Sequence, residues 1–432
     1  MNKPTIIGIT GSAGKTSSRN AMYSVLKDHK KTFMIRKGNS ESGIPLGILG
    51  LHVQSIGFSS LLKSLKDWTR IFIQAPLSIF FLRDYTYLIV EMGIDDPHPP
   101  RNMGYLLSVV KPQIAVVLNA FPAHAEQFES VVTPPITDDK ISAAIAHEKC
   151  KMITQNNNCR FAVYNADTIF LTDELQNIAL PHATFGTSQN NVLKHVGYSV
   201  SLSTTSFTYM FEGKKASLHI ANCVLPEVFR EVFASALLVG NYLNIDMDVM
   251  IASIEKNFSL EPGRNTVLDG VGNTTLIDSS YNGPSEGMRA MLALAMQLKE
   301  STKRPLAFVI GDMRELGSQA KEQHMSLLPQ IETHVDYLYT VGPLTHKYIY
   351  SPLKAQRGFK DIQSFEGAHE AGQYLKKNIP TNAIILIKGS QSIFLEETIK
   401  YLLHDIKDAQ LLPRQEDYWL RKKQFVLGDP SR

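Results

Sequence analysis

The sequence contains few cysteines and no run of like charge. Its three cysteines, Cys150, Cys159 and Cys223, are an odd number without metal-type pair spacing. We therefore expect reduced thiols in a reducing compartment, by default the cytoplasm, rather than a disulfide framework. The 44 Lys and Arg residues nearly balance the 41 Asp and Glu residues, for a formal net charge of +3. This balance, without a long basic run, argues against a nucleic-acid partner.

Long apolar runs are also lacking. The N-terminus has neither the apolar core nor the cleavage site of a secretory signal. The most apolar stretch, residues 68–82, is interrupted by Arg70 and Pro76 and is shorter than the roughly 20 residues that cross a bilayer. We therefore expect no transmembrane segment. A buried or domain-packing helix is the favoured interpretation of residues 68–82, and an interfacial helix in peripheral contact with a membrane is the alternative.

The chain has 432 residues, of which 44% are hydrophobic and 20% charged, as in a folded protein of at least two domains. Short β-branched runs alternate with longer helical patterns, which predicts an α/β fold with parallel sheets. The predicted strands are Thr5–Ile9, Tyr87–Glu91, Ile114–Asn119, Thr274–Asp278, Leu306–Gly311, Tyr337–Gly342 and Ala383–Lys388.

Proline and glycine interrupt this alternation in the stretch Ser259–Gly263. The predicted domains are therefore residues 1–260 and 261–432. Between about 190 and 222 the pattern has a period of two, which predicts antiparallel strands attached to the first domain. The polar tail, 411–432, is expected to be ordered only in part.

The stretch Gly8–Thr16, GITGSAGKT, follows the first predicted strand and precedes a predicted helix. Its glycines allow backbone N–H groups to face an anion, and a strand before and a helix after are the context of a nucleotide-phosphate loop. The strict pattern has glycine where this chain has Ile9, so the match is to a relaxed form, and a plain glycine-rich turn is the alternative. The predicted ATP-binding residues here are Gly11, Ser12, Ala13, Gly14, Lys15, Thr16 and Ser17. Lys15 would reach the β- and γ-phosphates, and the Thr16 hydroxyl would bind Mg²⁺.

Glu91 closes the predicted strand Tyr87–Glu91. A carboxylate at the end of a buried strand lies at the edge of the sheet where ligands bind in α/β folds. We therefore predict Glu91 as a metal ligand beside the loop; a helix-capping or surface carboxylate is the alternative.

Later motifs resemble the Mur ligases of peptidoglycan assembly. The stretch Asn119–Phe128, NAFPAHAEQF, looks like their Asn-x-x-x-x-His-x-Glu segment, and Ala146–Lys149 resembles their carbamylated-lysine site. Three further segments are similar to the MurF-type branch, which adds D-alanyl-D-alanine: Asp278–Met288, Gly311–Gly317 and Lys388–Ser390. The resemblance implies a P-loop central ATPase domain followed by a Rossmann-like C-terminal α/β domain.

The resemblance also implies roles for individual residues. Lys15, His124 and Lys149 would be catalytic, and Thr16, Glu91, His124 and carbamylated Lys149 would hold metal. From the residues alone, His124 is more often structural and Lys149 a solvated helix lysine. The nucleotide would contact Arg264, Asp278, Tyr281 and Asn282, and the substrates Asn39, Lys388 and Ser390.

The sequence departs from the MurF-type pattern in three places. The P-loop begins within the first twenty residues, where those ligases have a domain that binds the uridine nucleotide; residues 51–87 are a candidate for such contacts. The family's Gly-x-His-Asn motif has no counterpart in the stretch Leu225–Ala236, so nucleotide contacts there must differ. The stretch Gly38–Pro45 is shorter than the family's substrate loop.

The implied function is an ATP- and Mg²⁺-dependent, ADP-forming ligase that converts a carboxylate to an acyl phosphate and joins it to an amine. Its substrates would be small peptide-type molecules, with D-alanyl-D-alanine added to a peptidoglycan precursor and the second domain closing on the first. Two alternatives stay open: a ligase of the same architecture for a poly-glutamate or lipid-linked substrate, and an ATPase that has lost the amide chemistry.

Overall fold

A computed structural model describes residues 3–36, 38–51, 69, 71–77, 84–122, 125–221, 223–356 and 358–427. These residues group into two compact units. The first comprises the chain up to Gly197 with Phe207–Leu218 and Phe229–Phe258, and the second comprises Tyr198–Ser206, His219–Val228 and the chain from Ser259. Each unit has helices around a largely parallel sheet, which confirms the α/β class.

Within the described residues, the first sheet has nine strands in the order β2-β3-β1-β4-β5-β6-β7-β8-β9. The strands are β1 Thr5–Thr10, β2 Thr32–Met34, β3 Tyr87–Glu91, β4 Ile114–Val117, β5 Phe161–Asn165, β6 His182–Gly186, β7 Leu193–Val200, β8 Thr204–Phe211 and β9 Lys214–Ala221. The helices are α1 Lys15–Leu26, α2 Gly43–Ile48, α3 Met103–Val109, α4 Ala125–Phe128, α5 Asp138–Thr154, α6 Ile169–Leu175, α7 Phe229–Tyr242 and α8 Met247–Asn257. A 3₁₀ turn, Glu129–Val131, follows α4.

Strand β1 is the switch point of this sheet. It pairs in parallel with β3 on one side and β4 on the other, and β2 lies beyond β3. The connections that leave the carboxyl ends of β1 and β3 therefore run in different directions and leave a crevice at that edge. The residues that follow β1, β3 and β4 meet there.

Strands β7, β8 and β9 carry the predicted two-residue period. Buried and more exposed residues alternate along β8 and β9. The two-residue turn between these strands has φ of 49° at Glu212 and 76° at Gly213, and so tight a turn joins strands that run antiparallel.

Within the described residues, the second sheet has six strands in the order β10-β11-β15-β12-β13-β14. The strands are β10 Thr266–Gly270, β11 Thr274–Ser279, β12 Leu306–Gly311, β13 Tyr337–Val341, β14 Asp361–Phe365 and β15 Ile384–Lys388. The helices are α9 Ser285–Thr302, α10 Ala320–Met325, α11 Leu328–His334, α12 Pro343–Thr345, α13 Ser351–Leu353, α14 Ala368–Asn378, α15 Glu396–Lys400 and α16 Asp417–Leu427.

The second sheet is parallel except for the hairpin of β10 and β11. Ser279 is in register with Lys388, and Lys388 with Ile310, so the carboxyl ends of β11, β15 and β12 are neighbours. Helix α9 covers one face of this sheet with buried apolar residues such as Met288 and Leu292. The polar residues at or just after the ends of these three strands, Ser279, Lys388 and Asp312, therefore lie close together.

In the tail, α16 reaches Leu427 and buries Lys423, and residues 428–432 lie outside the described part of the chain. Residues 71–77 are helical and expose Phe72, Ile73 and Leu77 by 73%, 64% and 58%, which does not support the buried helix expected there. Residues 68, 70 and 78–82 lie outside the described part of the chain. Among the described residues, no helix is both long and apolar enough to cross a membrane.

Candidate active site

The loop of residues 11–14 connects β1 to α1 at the crevice of the first sheet. Gly14 has a φ of +82°, a left-handed conformation that costs glycine little, and its carbonyl oxygen accepts from the Ser18 N–H at 2.8 Å. Helix α1 therefore starts at Lys15, with no acidic residue in its first turn. Lys15 folds back so that its Nζ donates to the Gly11 carbonyl at 2.5 Å. The positive end of the helix and this ammonium group suit an anion such as phosphate.

Asn119, just after β4, fixes the shape of this loop. Its carbonyl oxygen accepts from the Ser12 N–H at 3.1 Å, and its side-chain Oδ1 accepts from the Ala13 N–H at 2.9 Å. The Ser12 hydroxyl donates to the Phe121 carbonyl at 2.8 Å. The loop is thus pinned to the neighbouring strand end before any ligand binds.

Thr16 and Glu91 meet as predicted from their positions after β1 and at the end of β3. The Thr16 hydroxyl donates to Glu91 Oε2 at 3.1 Å. The other carboxylate oxygen, Oε1, pairs with Arg19 Nη1 at 2.7 Å. Arg19 also donates to the carbonyls of Ile35 and Arg36, which fixes its guanidinium group. The ion pair with Arg19 therefore fixes the Glu91 carboxylate with Oε2 toward Thr16.

Lys149 lies in the middle of α5 and is 3% exposed, so it is not a solvated helix lysine. Burial, and secondly the positive charge of Lys15, hold its pKa well below the ordinary value of 10.5, against the opposing effect of Asp95. On the same helix Lys151 pairs with Glu148 at 2.5 Å. Burial therefore favours the neutral form of the Lys149 amine, which lies near enough to Lys15 to respond to its charge.

The remaining predicted residues of the first unit are placed as follows. Ser17 is buried in the first turn of α1. The Asn39 carbonyl accepts from the Gly93 N–H at 2.8 Å, and a Cβ on Gly93 would lie 2.9 Å from Asn39 Nδ2, so Asn39 packs just past the end of β3. His124 lies outside the described residues.

Lys388 is the last residue of β15 and is buried in the second unit. Its Nζ, in a side chain that is 3% exposed, donates to the Asn282 carbonyl at 2.8 Å and to Ser279 Oγ at 3.2 Å. Burial lowers its pKa to about 7, assisted by the charge of Arg264 and opposed by that of Asp278. The amine is thus surrounded by neutral acceptors and has lost much of its preference for a proton.

Asp278 lies on β11 and is completely buried. Burial raises the pKa of its carboxyl to about 6, although the hydrogen bonds from Ser280 favour the charged form. The Ser280 N–H donates to its Oδ1 at 2.9 Å. The carboxyl therefore shapes the turn that follows the strand.

The guanidinium groups of two arginines lie over the ring of Tyr281. The Arg264 guanidinium lies 4.3 Å from the centre of its ring, and the Arg414 guanidinium lies 5.8 Å away. Arg414 donates to the Ser280 and Tyr281 carbonyls at 3.1 Å each and forms a two-pronged ion pair with buried Glu396 at 2.7 and 2.5 Å. The tail thus supports the loop that carries two of the predicted nucleotide-binding residues, Tyr281 and Asn282.

Ser390 joins two segments that the sequence motifs singled out. Its N–H donates to the Asp312 carbonyl at 3.0 Å, and its Oγ accepts from the Arg314 N–H at 2.8 Å. His324 Nε2 accepts from the Met313 N–H at 3.1 Å, and burial lowers the pKa of this ring, which favours its neutral form. Ser390 is placed by this backbone network at the carboxyl edge of the second sheet.

Three residues of these sites were not found from the sequence. Arg19 could have been, because it lies one helical turn after Lys15 on a buried helix face. Glu231, whose Oε2 accepts from Asn119 Nδ2 at 2.8 Å, and Arg414 carry no local signal, since their partners are distant in sequence.

The fold and the loop define a P-loop nucleotide-binding protein with a second α/β unit. A family model described as the Mur ligase middle domain matches residues 9–223, and one described as the Mur ligase glutamate ligase domain matches residues 263–391. The chain belongs to the Mur ligase family.

Relatives and solved structures extend the similarity to most of the chain. It is 26% identical to the UDP-N-acetylmuramoyl-tripeptide–D-alanyl-D-alanine ligase of Rickettsia prowazekii over 404 residues, 93% of this chain and 78% of that protein. It resembles MurF from Acinetobacter baumannii with a TM-score of 0.70 and 18% identity, over 92% of this chain and 76% of that one. It resembles the MurF ligase of Thermotoga maritima, solved with ADP, with a TM-score of 0.67 and 18% identity, over 94% of this chain and 80% of that one. These two structures support the fold.

Proposed function

We propose that this chain is an ATP-dependent, ADP-forming ligase that activates a carboxylate as an acyl phosphate and joins it to an amine. The observation that carries the proposal is the phosphate loop with Lys15 over it and the Thr16–Glu91 oxygen pair beside it. The names of the relatives favour D-alanyl-D-alanine as the amine and a peptidoglycan precursor peptide as the carboxylate. A ligase with a poly-glutamate or lipid-linked substrate is the alternative.

The chain's own groups can neutralise the transferring phosphoryl group. Loop N–H groups and the start of α1 bind phosphate oxygens, and Lys15 adds a mobile positive charge. Because phosphoryl transfer depends mainly on positioning and charge stabilisation, these groups supply much of what the first step needs. The substrate carboxylate then attacks the γ-phosphorus, ADP leaves, and the amine displaces phosphate from the acyl carbon.

Mg²⁺ fits the oxygen pair of Thr16 and Glu91. The two oxygens are 3.1 Å apart, and both are hard donors of the kind that Mg²⁺ takes together with waters and phosphates. The ion would offset charge on the phosphates. For a second ion we propose His124 and carbamylated Lys149, supported by the burial of Lys149 beside the loop. Carbamylation joins Nζ to the carbon of CO₂ and releases a proton, which converts the amine to an oxygen donor.

In the second unit we propose nucleotide roles for Arg264, Asp278, Tyr281 and Asn282. The stack of Arg264 on Tyr281 supports them, because a cation on an aromatic face offers both charge and a flat surface. Lys388 and Ser390 are proposed for the amine's side, supported by their place at and just after the carboxyl end of β15.

The test is phosphate release with ATP and Mg²⁺, offered UDP-MurNAc-tripeptide with D-alanyl-D-alanine and, separately, a panel of nucleotide-free peptides and amino acids. Release that needs the first pair supports the full proposal, and release that needs another pair keeps the chemistry and changes the substrate. Hydrolysis that needs neither substrate favours an ATPase. Lys15→Ala should abolish release, and Lys27→Ala, at an exposed position just after α1, is the matched control. A near-full rate in Lys15→Ala would rule out this mechanism.

Peripheral membrane contact through residues 68–82 is a separate proposal. The exposed side chains of Phe72, Ile73 and Leu77 support it. Sedimentation with vesicles of anionic and of zwitterionic lipid should carry down the wild type but less of the variant Phe72→Ser/Ile73→Ser. Equal sedimentation of both proteins would contradict the proposal.

A further inference from the structure

Glu231 lies in the first turn of α7, inside the stretch Leu225–Ala236 that lacks the family's Gly-x-His-Asn motif. Its Oε2 accepts from Asn119 Nδ2 at 2.8 Å. The other end of the same amide, Oδ1, accepts from the Ala13 N–H at 2.9 Å. A chain of two hydrogen bonds thus runs from α7 to the phosphate loop.

The hydrogen-bonding chemistry of Glu231 determines which end of the Asn119 amide faces each partner. A side-chain amide can turn either its oxygen or its NH₂ group toward a partner, whereas an ionised carboxylate can only accept. Glu231 therefore draws the NH₂ group of Asn119, and the oxygen must face Ala13. Without the carboxylate the amide is free to flip, which would set NH₂ against the Ala13 N–H, donor against donor.

We propose that Glu231 is a positioning residue for nucleotide binding: it orients Asn119, which fixes the Ser12–Ala13 peptide of the phosphate loop. The inference rests on the proposed function, since it assumes that this loop binds a nucleotide. It matters because the Ser12 and Ala13 N–H groups donate to Asn119, which leaves the N–H groups of residues 14–16 to bind phosphate; where those groups point depends on how the Ser12–Ala13 peptide is held.

The environment of Glu231 also predicts how nucleotide affinity depends on pH. Burial raises the pKa of its carboxyl to about 7, against the opposing effects of the bond from Asn119 and the charge of Arg230, and Asp167 raises it further. His195 of β7 and Tyr209 of β8 line the same small cavity of about 10 Å³ as Glu231. The raised pKa means that the carboxylate is present above about pH 7 and lost below it. Orientation of Asn119, and with it nucleotide affinity, should weaken as the pH falls through this range.

The experiment measures the Kd of the full chain for ADP with Mg²⁺ by calorimetry, from about pH 6 to about pH 8.5, in wild type and in Glu231→Gln. Glu255→Gln, an exposed position near the end of α8, is the matched control. At pH 8 the Kd of Glu231→Gln should rise, by up to about tenfold, because a Gln amide can present either its oxygen or its NH₂ group to Asn119 and so no longer fixes the orientation of that amide. As the pH falls, the wild type should lose its higher affinity for ADP, so that the Kd values of the two proteins converge. The titration of ADP itself affects both proteins equally. Glu255→Gln should follow the wild type.

Parallel profiles with equal Kd would overturn the inference and leave the proposed function intact. A wild type that binds no ADP would overturn the proposed function and this inference with it. If Glu231→Gln does not fold, the wild-type profile decides: an affinity for ADP that stays constant below pH 7, once corrected for the titration of free ADP, refutes the inference.

Discussion

Replacing Lys388 by Met should change how the stability of the second unit depends on pH. The Lys388 side chain is 3% exposed and its Nζ donates to the neutral oxygens of Ser279 and Asn282, while burial lowers its pKa from 10.5 to about 7. In the unfolded chain the same amine titrates near its ordinary value. Folding therefore removes a proton over a wide range of pH, and the free energy of unfolding must respond.

The sign and size follow from the two pKa values. Between about pH 7 and pH 10.5 the unfolded state binds one more proton than the folded state, so the free energy of unfolding rises with pH by about 1.4 kcal/mol per unit. Below pH 7 the amine is protonated in both states and contributes no slope. From pH 7.5 to 9.5 the wild type should gain about 3 kcal/mol that Lys388→Met does not gain.

The chain offers a probe confined to the second unit. Trp419 of α16 packs edge-on against Phe394, with ring centroids 6.5 Å apart, and the sequence has only one other tryptophan, Trp68. In a Trp68→Phe background, urea unfolding followed by fluorescence at pH 7.5, 8.5 and 9.5 reports on that unit. Lys376→Met, at an exposed lysine of α14, is the matched control and should keep the wild-type slope.

A free-energy difference between wild type and Lys388→Met that stays constant over the three pH values would refute the reasoning. It would mean that the buried amine keeps its ordinary affinity for a proton.

Three further predictions concern buried charges. Glu91→Gln should abolish phosphate release and, because Arg19 is only 3% exposed and loses its ion pair, lower the free energy of unfolding by about 3 kcal/mol in urea titrations; unchanged stability would contradict the pairing. Arg414→Met should destabilise the second unit by about 3 kcal/mol, since Glu396 is fully buried, and a loss well below 1 kcal/mol would show that the pair is not needed. Carbon-13 NMR after incubation with labelled bicarbonate should show a carbamate signal that Lys149→Met lacks; a signal that persists in this variant would place the modification elsewhere.

The sequence predicted the parts of the fold whose signals are local. The buried strands β3 and β12 match their predicted bounds, because long apolar runs between polar residues mark them clearly. The patterns did not single out β2, which has only three residues, or β14, an edge strand that is mostly half-buried. The contacts of the tail could not be predicted, because Lys423 is held there by ion pairs with acidic residues of α15, and long-range pairs leave no local pattern.

The candidate site likewise contains contacts that could be predicted from the sequence and contacts that could not. The proximity of Thr16 and Glu91 followed from a rule about strand ends, and the structure places their oxygens 3.1 Å apart. The Arg414–Glu396 pair and the bond between Glu231 and Asn119 could not be foreseen, since each joins segments whose contact depends on the finished fold. The roles of His124 and Lys149 remain predictions.

Buried charges in this chain fall into two kinds that act in opposite directions on stability. Arg19 with Glu91 and Arg414 with Glu396 are paired at short distance, so removing one partner deprives a buried charge of its nearest counter-charge and weakens the fold, although Lys423 stays 3.4 Å from Glu396. Lys149, Lys388 and Asp278 instead have pKa values displaced toward their neutral forms, with burial as the main cause. Holding these groups costs stability at neutral pH, and groups with such displaced pKa values cluster at functional sites. In our proposal Arg19, Arg414 and Glu396 maintain the shape of each site, whereas Glu91 and the groups with displaced pKa values contact a substrate or metal.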